Sequence, residues 1–438
     1  MTTSAENRDQ QNVVVIGAGI AGLMAAAAVA PHVDHVTLVE QDDLHHAPLV
    51  PRRRVPQGAH VHALLDSGRG VLDRLLPGFI EDAVAAGSLS LAVRSRWRSF
   101  DGHRWALPHD TGPVILSQSR VHLEFLIRQR VIALTNVQIK CAKVYGLVEG
   151  QGVRLTGVQI ATDSNALSQL PASWVIDASG RAGQTTKWLH DLGYDSLSET
   201  VASPDVRYAS MILDRADTDN APCAWLQLAQ APTTRGLVLA PIEGGRWIAT
   251  ITDRFGAAVP KTAEAFLQAL MGDFDPKYRQ ICEDIAPIGD VSRFHIGTVR
   301  LRDFESARLP SGFLPIGDAV ATFNPLHAQG MSVAALQAEA LGDVFADNSR
   351  RDGQILQDTY LSQALAISRN AWQIGRAVDM SYPNFQADAD PDARRQALAL
   401  GAAFAAATVR PDMARQVDRT LHMLDPFSAL TEPLATAG

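Results

Sequence analysis

An α/β fold of two interleaved lobes with a helical C-terminus is what the sequence predicts, and three features predict it. A glycine turn joins a β-branched strand to an apolar helix near the N-terminus. The stretch from Tyr208 to Thr252 is the richest in strand-like runs. From Gln357 onward most of the chain has helical spacing with Ala-rich faces.

Taken in order, Asn12 to Ile16 is a short β-branched run, Gly17 to Gly22 the glycine turn, Leu23 to Ala30 a helix, and His35 to Val39 a second strand. Pro48 to Gly58 carries prolines and arginines and reads as a loop. Val61 to Leu76 has helical spacing, closed by Pro77-Gly78. Arg94 to Leu107 alternates polar and aromatic residues, which predicts a hairpin turning at Asp101-Gly102. Arg120 to Leu134 reads as a helix, and Val137 to Ile160 as strands with glycine turns. Trp174 to Ile176 is a buried strand ending in Asp177-Ala178-Ser179-Gly180. The runs YASMIL, AWLQLAQ, GLVLAPI and RWIATI predict a mostly antiparallel sheet, the second lobe. Phe313 to Ile316 leads into Gly317-Asp318, and Gly330 to Phe345 is a helix. There is no internal repeat and no Gly/Ser or charged linker, so the lobes are interleaved rather than strung in series.

The 438 residues are 46% hydrophobic and 20% charged, enough apolar material for a large core. The net charge of −8 and an aromatic share of 6% argue against nucleic-acid binding. Cys141, Cys223 and Cys282 are widely spaced, which suggests neither a disulfide framework nor a zinc ribbon and fits a cytoplasmic setting. The polar N-terminus has no signal-peptide pattern, and no apolar run reaches the ~18 residues of a membrane span.

The first chemical signal is Gly17-Ala18-Gly19-Ile20-Ala21-Gly22 between a strand and a helix. The first glycine permits the tight turn. The second lets backbone approach a pyrophosphate, and the third lets helix and strand pack closely. The helix start offers free N–H groups and a positive dipole end to phosphates. Glu40, followed by Gln41, ends the second strand, where a carboxylate accepts from a ribose diol and disfavours a 2′-phosphate. These residues alone do not separate FAD from NAD.

Two distant segments favour FAD. Ala178, Ser179 and Gly180 follow a strand and can close the dinucleotide site from its far side. Gly317-Asp318 also follows a strand, so Asp318 is suited to a polyol such as a ribityl chain. Pro325 then breaks the chain, and Gly330-Met331 open a helix whose N–H groups suit the flavin pyrimidine edge. A helix N-terminus favours the anionic reduced flavin by roughly 0.3–2 kcal/mol.

In this order the three segments resemble the flavoprotein monooxygenase superfamily that includes the para-hydroxybenzoate hydroxylases and squalene epoxidases. Ala-Ser-Gly replaces that group's Ala-Asp-Gly, as in geranylgeranyl-reductase-like members. A closer resemblance is to actinobacterial FAD-dependent epoxidases of polyether pathways, over roughly residues 12 to 380. It is carried by PRRRVPQGAHVHALLDSGRGVLDRLLPG, IDASGRAGQTTKWLHDLGY, PIEGGRWIATI and FNPLHAQGMSVAALQAEAL. With the element order, this implies a Rossmann-like FAD-binding domain over 1–90, 110–200 and 300–350. A mostly antiparallel-sheet substrate domain takes 91–109 and 201–299, and a helical region 351–438.

The resemblance also implies roles. Arg52, with Arg53, matches a basic loop near the flavin, while Arg54 stands where the pattern has Gly. Arg120 opens the helix that contacts the FAD phosphate and ribityl region, and Val144 is expected beside the adenine. NAD(P)H is the electron donor, directly or through a separate flavin reductase. One oxygen atom of O2 enters a lipophilic substrate through a flavin C4a-hydroperoxide. Epoxidation of a polyketide or terpenoid alkene is favoured, because no acid–base pair of the kind phenol hydroxylation uses is legible. An apolar sheet from Tyr208 to Thr252 would wall the dry pocket that this chemistry needs. Aromatic hydroxylation, FAD-dependent reduction and flavin binding without turnover are the rivals.

Other motifs read more simply. His45, His46, His60 and His62 lack further ligands at metal spacing, and His60 and His62 suit a flavin-facing or capping role. Cys223 reads as packing. The G-x-S-x-G of a serine hydrolase is missing, and Arg246-Trp247-Ile248 is not the Trp-x-Trp-x-Ile-Pro segment of flavin halogenases.

Overall fold

The structure is a computed structural model that describes residues 11–44, 50–52, 54–108, 112–162, 166–214, 223–282, 285–347 and 353–435. The β-branched run forms strand Asn12–Ile16, buried on both faces, and the helix Ile20–Val29 follows the glycine turn. Both pack into a five-stranded parallel sheet. Its order is Phe313–Pro315, Trp174–Asp177, Asn12–Ile16, His35–Glu40 and Val137–Cys141. Nearly continuous apolar runs such as VVVI and WVI suit such doubly covered strands. The Ala-rich helix Ile20–Val29 lies close against the helix Gly330–Ala346. A Cβ on Gly342 would sit 3.2 Å from the Ala28 carbonyl oxygen, so glycine sets that spacing.

The second lobe is a six-stranded sheet ordered Pro287–Ile296, Val206–Asp214, Arg246–Arg254, Gly236–Ile242, Ala224–Gln227 and Trp97–Phe100. Every pairing is antiparallel except the last. One face, carrying Ala209, Met211, Leu213, Ala249 and Ile251, buries Phe266, Leu270 and Tyr278 of two short helices. The C-terminal helices Gly353–Asp379, Ala393–Ala407 and Pro411–Leu421 close a further apolar cluster around Leu400 and Val417.

One local expectation is corrected and another is extended. The region Val61–Leu76 is not one helix. Ala63–Leu64 pairs with Leu116–Ser117 as a strand, so the helix starts at Asp66. The Arg94–Leu107 hairpin does turn at Asp101-Gly102, where the Asp101 N–H donates to the Arg104 carbonyl and the Ala106 N–H to the Ser99 carbonyl around a Phe100–Trp105 bridge, and Trp97–Phe100 also joins the larger sheet beside Ala224–Gln227. Before Asp66, sheet pairing with a distant strand outweighs local preference. Cys223, read as packing within the sheet, precedes strand Ala224–Gln227 and is half-buried.

Candidate active site

Parallel strands deliver their following turns to the same sheet edge. Strand Asn12–Ile16 lies between His35–Glu40 and Trp174–Asp177, a point where chain connections leave in opposite directions and a crevice forms. The turns after Ile16, Glu40, Asp177 and Pro315 therefore meet there. A Cβ on Gly22 would lie 2.0 Å from the Gly17 carbonyl oxygen and 3.3 Å from Ala178 Cβ. One on Gly317 would lie 2.8 Å from Ala21 Cβ, and one on Gly330 3.9 Å from Asp318 Oδ1. By contrast, a Cβ on Gly19 or Gly180 meets nothing within 4 Å, so both face open space.

The short strand Phe313–Pro315 is held by long polar side chains. Gln357 Oε1 accepts from the Gly312 N–H (2.9 Å), Tyr360 donates to the Pro315 carbonyl (2.9 Å), and Gln337 Oε1 accepts from the Gly317 N–H (2.7 Å). All three side chains are fully buried, so buried hydrogen bonds hold the strand and the Gly317 N–H in place.

Glu40 ties the glycine turn to the neighbouring loop. Its Oε2 accepts from the Ala18 N–H (3.0 Å), and its Oε1 from the N–H groups of Gln41 (2.7 Å) and Asp42 (3.1 Å). Arg52 Nη1 lies 3.3 Å from Glu40 and 3.4 Å from Asp42, while its Nε lies 2.9 Å from Glu124. Arg120 donates to the other oxygen of Glu124 at 2.8 Å. Arg54 is exposed, with its Nε 3.2 Å from Asp42. Arg53 lies outside the described residues, as do His45 and His46.

Asp318 is half-buried, and burial pushes its carboxyl above the usual carboxylate range against the opposing pull of Arg181, Arg120 and Arg302. A ligand hydroxyl can donate to it there. Ser179, in place of the expected Asp, turns inward: its N–H and hydroxyl both donate to Asp177. Ala178, Ser179 and Gly180 thus offer backbone to the crevice. Ile20 and Met331 each sit in the first turn of a helix with no side-chain cap, so the leading N–H groups are open. Pro325 starts the short turn Pro325–His327 before the second of these helices. Val144 is buried in the main core, two residues past Ala142, whose N–H donates to the Glu40 carbonyl.

The expected apolar wall is corrected in part. The sheet face opposite the two short helices carries Tyr208 and Ser210 paired with Thr252 and Thr250, all buried and polar. His60 docks on it. Its Nδ1 is 2.8 Å from Ser210 Oγ, which is 2.6 Å from Thr250 Oγ1, and its ring meets Tyr208 edge-on at 4.5 Å. Burial lowers the His60 pKa to about 4, so the imidazole is neutral. The Tyr208 phenol is held well above its ordinary range by burial, against Arg181, which also feels Asp318. His60, Tyr208, Arg181 and Asp318 therefore border one region. A second polar node is Asp379, bonded by Arg254 (2.7 Å), Asn324 (2.9 Å) and His327 (3.2 Å). Neither node was legible as an acid–base pair. Glu124, four residues after Arg120 on one helix, could have been found by its spacing.

A crevice bordered by the carboxylates of Glu40 and Asp318, the open Gly19 and the guanidinium groups of Arg52 and Arg120 has the chemistry to take a flavin dinucleotide. Among the described residues, no group of three or more His, Cys, Asp or Glu could hold a metal ion. No described helix is long and apolar enough to cross a membrane.

Known proteins agree. The family model of the FAD binding domain matches residues 10–374. Protein Rv3254 of Mycobacterium tuberculosis (strain ATCC 25618 / H37Rv) is 31% identical over 444 residues, covering 97% of this chain and 92% of that protein. The flavin-dependent brominase Bmp2 superposes with a TM-score of 0.69 at 15% identity, covering 97% of this chain and 98% of that one. For p-nitrophenol 4-monooxygenase PnpA from Pseudomonas putida DLL-E4 the TM-score is 0.63 at 16% identity, covering 96% and 98%. At these identities the structural likenesses speak for the fold.

Proposed function

Because the chain belongs to the FAD binding domain family, within the flavoprotein monooxygenase superfamily, we propose that this FAD-dependent enzyme inserts one atom of O2 into a lipophilic substrate by epoxidising an alkene of a polyketide or terpenoid. The convergence of the Gly17–Gly22, Ala178–Gly180 and Gly317–Asp318 turns at one sheet edge is the observation that carries this reading. The resemblance to polyether-pathway epoxidases supports the choice of substrate.

In this reading Glu40 takes the adenosine ribose, with Val144 near the adenine. Gly17 to Gly22, Arg52 and Arg120 take the diphosphate. Asp318 takes the ribityl chain, and the N–H groups of Gly330 and Met331 the pyrimidine edge. Bound FAD supplies the activation of dioxygen. The chain's own work is orientation and the exclusion of water. NAD(P)H, directly or through a reductase, delivers the electrons. The stretches 1–90, 110–200 and 300–350 carry the cofactor, 91–109 and 201–299 face the substrate, and 351–438 closes the helical side.

Aromatic hydroxylation is the second reading, favoured by one observation. The His60–Ser210–Thr250 row offers hydrogen bonds to a substrate oxygen where a purely apolar wall was expected. The test supplies FAD-loaded, reduced protein with alkene and phenol substrates under isotopically heavy dioxygen. One heavy oxygen in an epoxide is the expected result, and one in a catechol selects the second reading. Conversion that proceeds without dioxygen contradicts both.

A further inference from the structure

Arg128 is a buried cation with no anion of its own. It is 6% exposed, and among the described residues no carboxylate lies within 4.0 Å of it. The nearby carboxylate, Glu124, is already engaged by Arg52 (2.9 Å) and Arg120 (2.8 Å). Arg120, Glu124 and Arg128 are spaced four apart on the helix Arg120–Ile132, so they form one row along its surface. That row spans ~12 Å at the helical rise. The row lines a cleft whose other side is Pro51, Arg52 and Val55. The Arg128 guanidinium also lies 5.7 Å from the Phe125 ring centroid, a contact too weak to replace an ion partner. Arg52 is divided among Glu40, Asp42 and Glu124, and Arg120 pairs with Glu124, so Arg128 is the guanidinium of this cleft with no carboxylate within 4.0 Å among the described residues.

We propose that this cleft is a phosphate site and that Arg128 binds a phosphate group of a dinucleotide. The planar guanidinium fork suits two phosphate oxygens at once. The phosphate has two sources of the same chemistry: the diphosphate of FAD, extending from the glycine turn past Arg52, or a phosphate of the nicotinamide dinucleotide that donates electrons. The second source rests on the proposed function; the first needs only FAD binding.

Equilibrium binding separates them without turnover. FAD is titrated into the cofactor-free protein by flavin fluorescence, and NADPH into the FAD-loaded protein by calorimetry, for wild type, Arg128→Gln and Arg128→Lys. Arg128→Gln weakens one of the two ligands about tenfold or more, which is about 1.4 kcal/mol. Loss on the FAD arm assigns the FAD diphosphate, and loss on the NADPH arm assigns the electron donor. Arg128→Lys keeps the charge without the fork and falls between. Without nucleotide, Arg128→Gln melts no lower than wild type, since it removes an unpaired buried charge. Unchanged affinity on both arms overturns the proposal. So does a glutamine variant that fails to fold while the lysine variant binds like wild type.

Discussion

Gly17 and Ala178 approach so closely that a Cβ on Gly17 would lie 2.7 Å from the Ala178 carbonyl oxygen. Two turns separated by most of the parallel sheet's sequence are thereby fastened together, with Gly17 held at φ +98°, a left-handed conformation that favours glycine.

The glycines of that turn are expected to separate fold from ligand. In Gly22→Ala the new methyl collides with the Gly17 carbonyl, so stability falls by about 1–3 kcal/mol. In Gly19→Ala the methyl enters open space and the melting temperature holds, while FAD affinity falls about tenfold or more because the backbone no longer reaches the diphosphate. Thermal unfolding and fluorescence titration of both variants check this. Equal melting losses would remove the distinction.

Asp379 joins three parts of the molecule: Arg254 at the end of a sheet strand, Asn324 and His327 before the helix Gly330–Ala346, and its own helix. His327, Arg254 and Asn324 outweigh burial and hold its carboxyl below the usual range. Asp379→Asn leaves Arg254 buried without a counter-ion and should cost roughly 3–5 kcal/mol, read by denaturant unfolding. The double variant Asp379→Asn with Arg254→Met recovers part of the loss. A single variant as stable as wild type would show that the ion pair contributes nothing.

Acid should weaken the fold through its buried histidines. Burial lowers the pKa of both His60 and His422 to about 4, and the Asp66 N–H donates to His422 Nδ1 at 3.2 Å. Unfolded, each takes a proton near pH ~6.5. The native state therefore keeps this stability above about pH 6.5 and loses it progressively as pH falls toward about 4. Each histidine adds a slope of up to about 1.4 kcal/mol per pH unit. Urea unfolding across this range reads the slope, and His422→Asn should flatten it by one proton. An unchanged slope would mean that His422 is protonated in the native state.

Ser179 closes the turn against Asp177 rather than facing the crevice. Ser179→Ala should therefore cost about 1.5–3 kcal/mol, the range of a hydrogen bond to a charged group. FAD affinity of the folded fraction should stay within about threefold, about half of one tenfold step in free energy. A selective loss of affinity with stability intact would put the hydroxyl on the ligand instead.

The parts of the site that were legible in the sequence are those encoded locally. Gly17 to Gly22 and Gly317-Asp318 follow, and Glu40 ends, a strand whose apolar run is readable, and parallel pairing then brings the turns together. The polar nodes were not legible, because their members are remote. His60 and Ser210 are separated by 150 positions, and Arg254 and Asp379 by 125. The apolar runs marked Tyr208 to Thr252 as sheet, but not that Ser210 and Thr250 share one face or that a histidine from the first lobe docks there. The break before Asp66 had the same origin, since Ala63–Leu64 finds its partner strand more than 50 residues on.

The central claim is that the turns near Gly19, Gly180 and Asp318 enclose one flavin. Its most direct measurement is the visible spectrum and stoichiometry of protein titrated with FAD, beside Gly19→Ala. One FAD per wild-type chain with a shifted flavin band, and weaker uptake by the variant, is the predicted result. A wild-type protein that stays colourless after excess FAD is washed away would contradict the account.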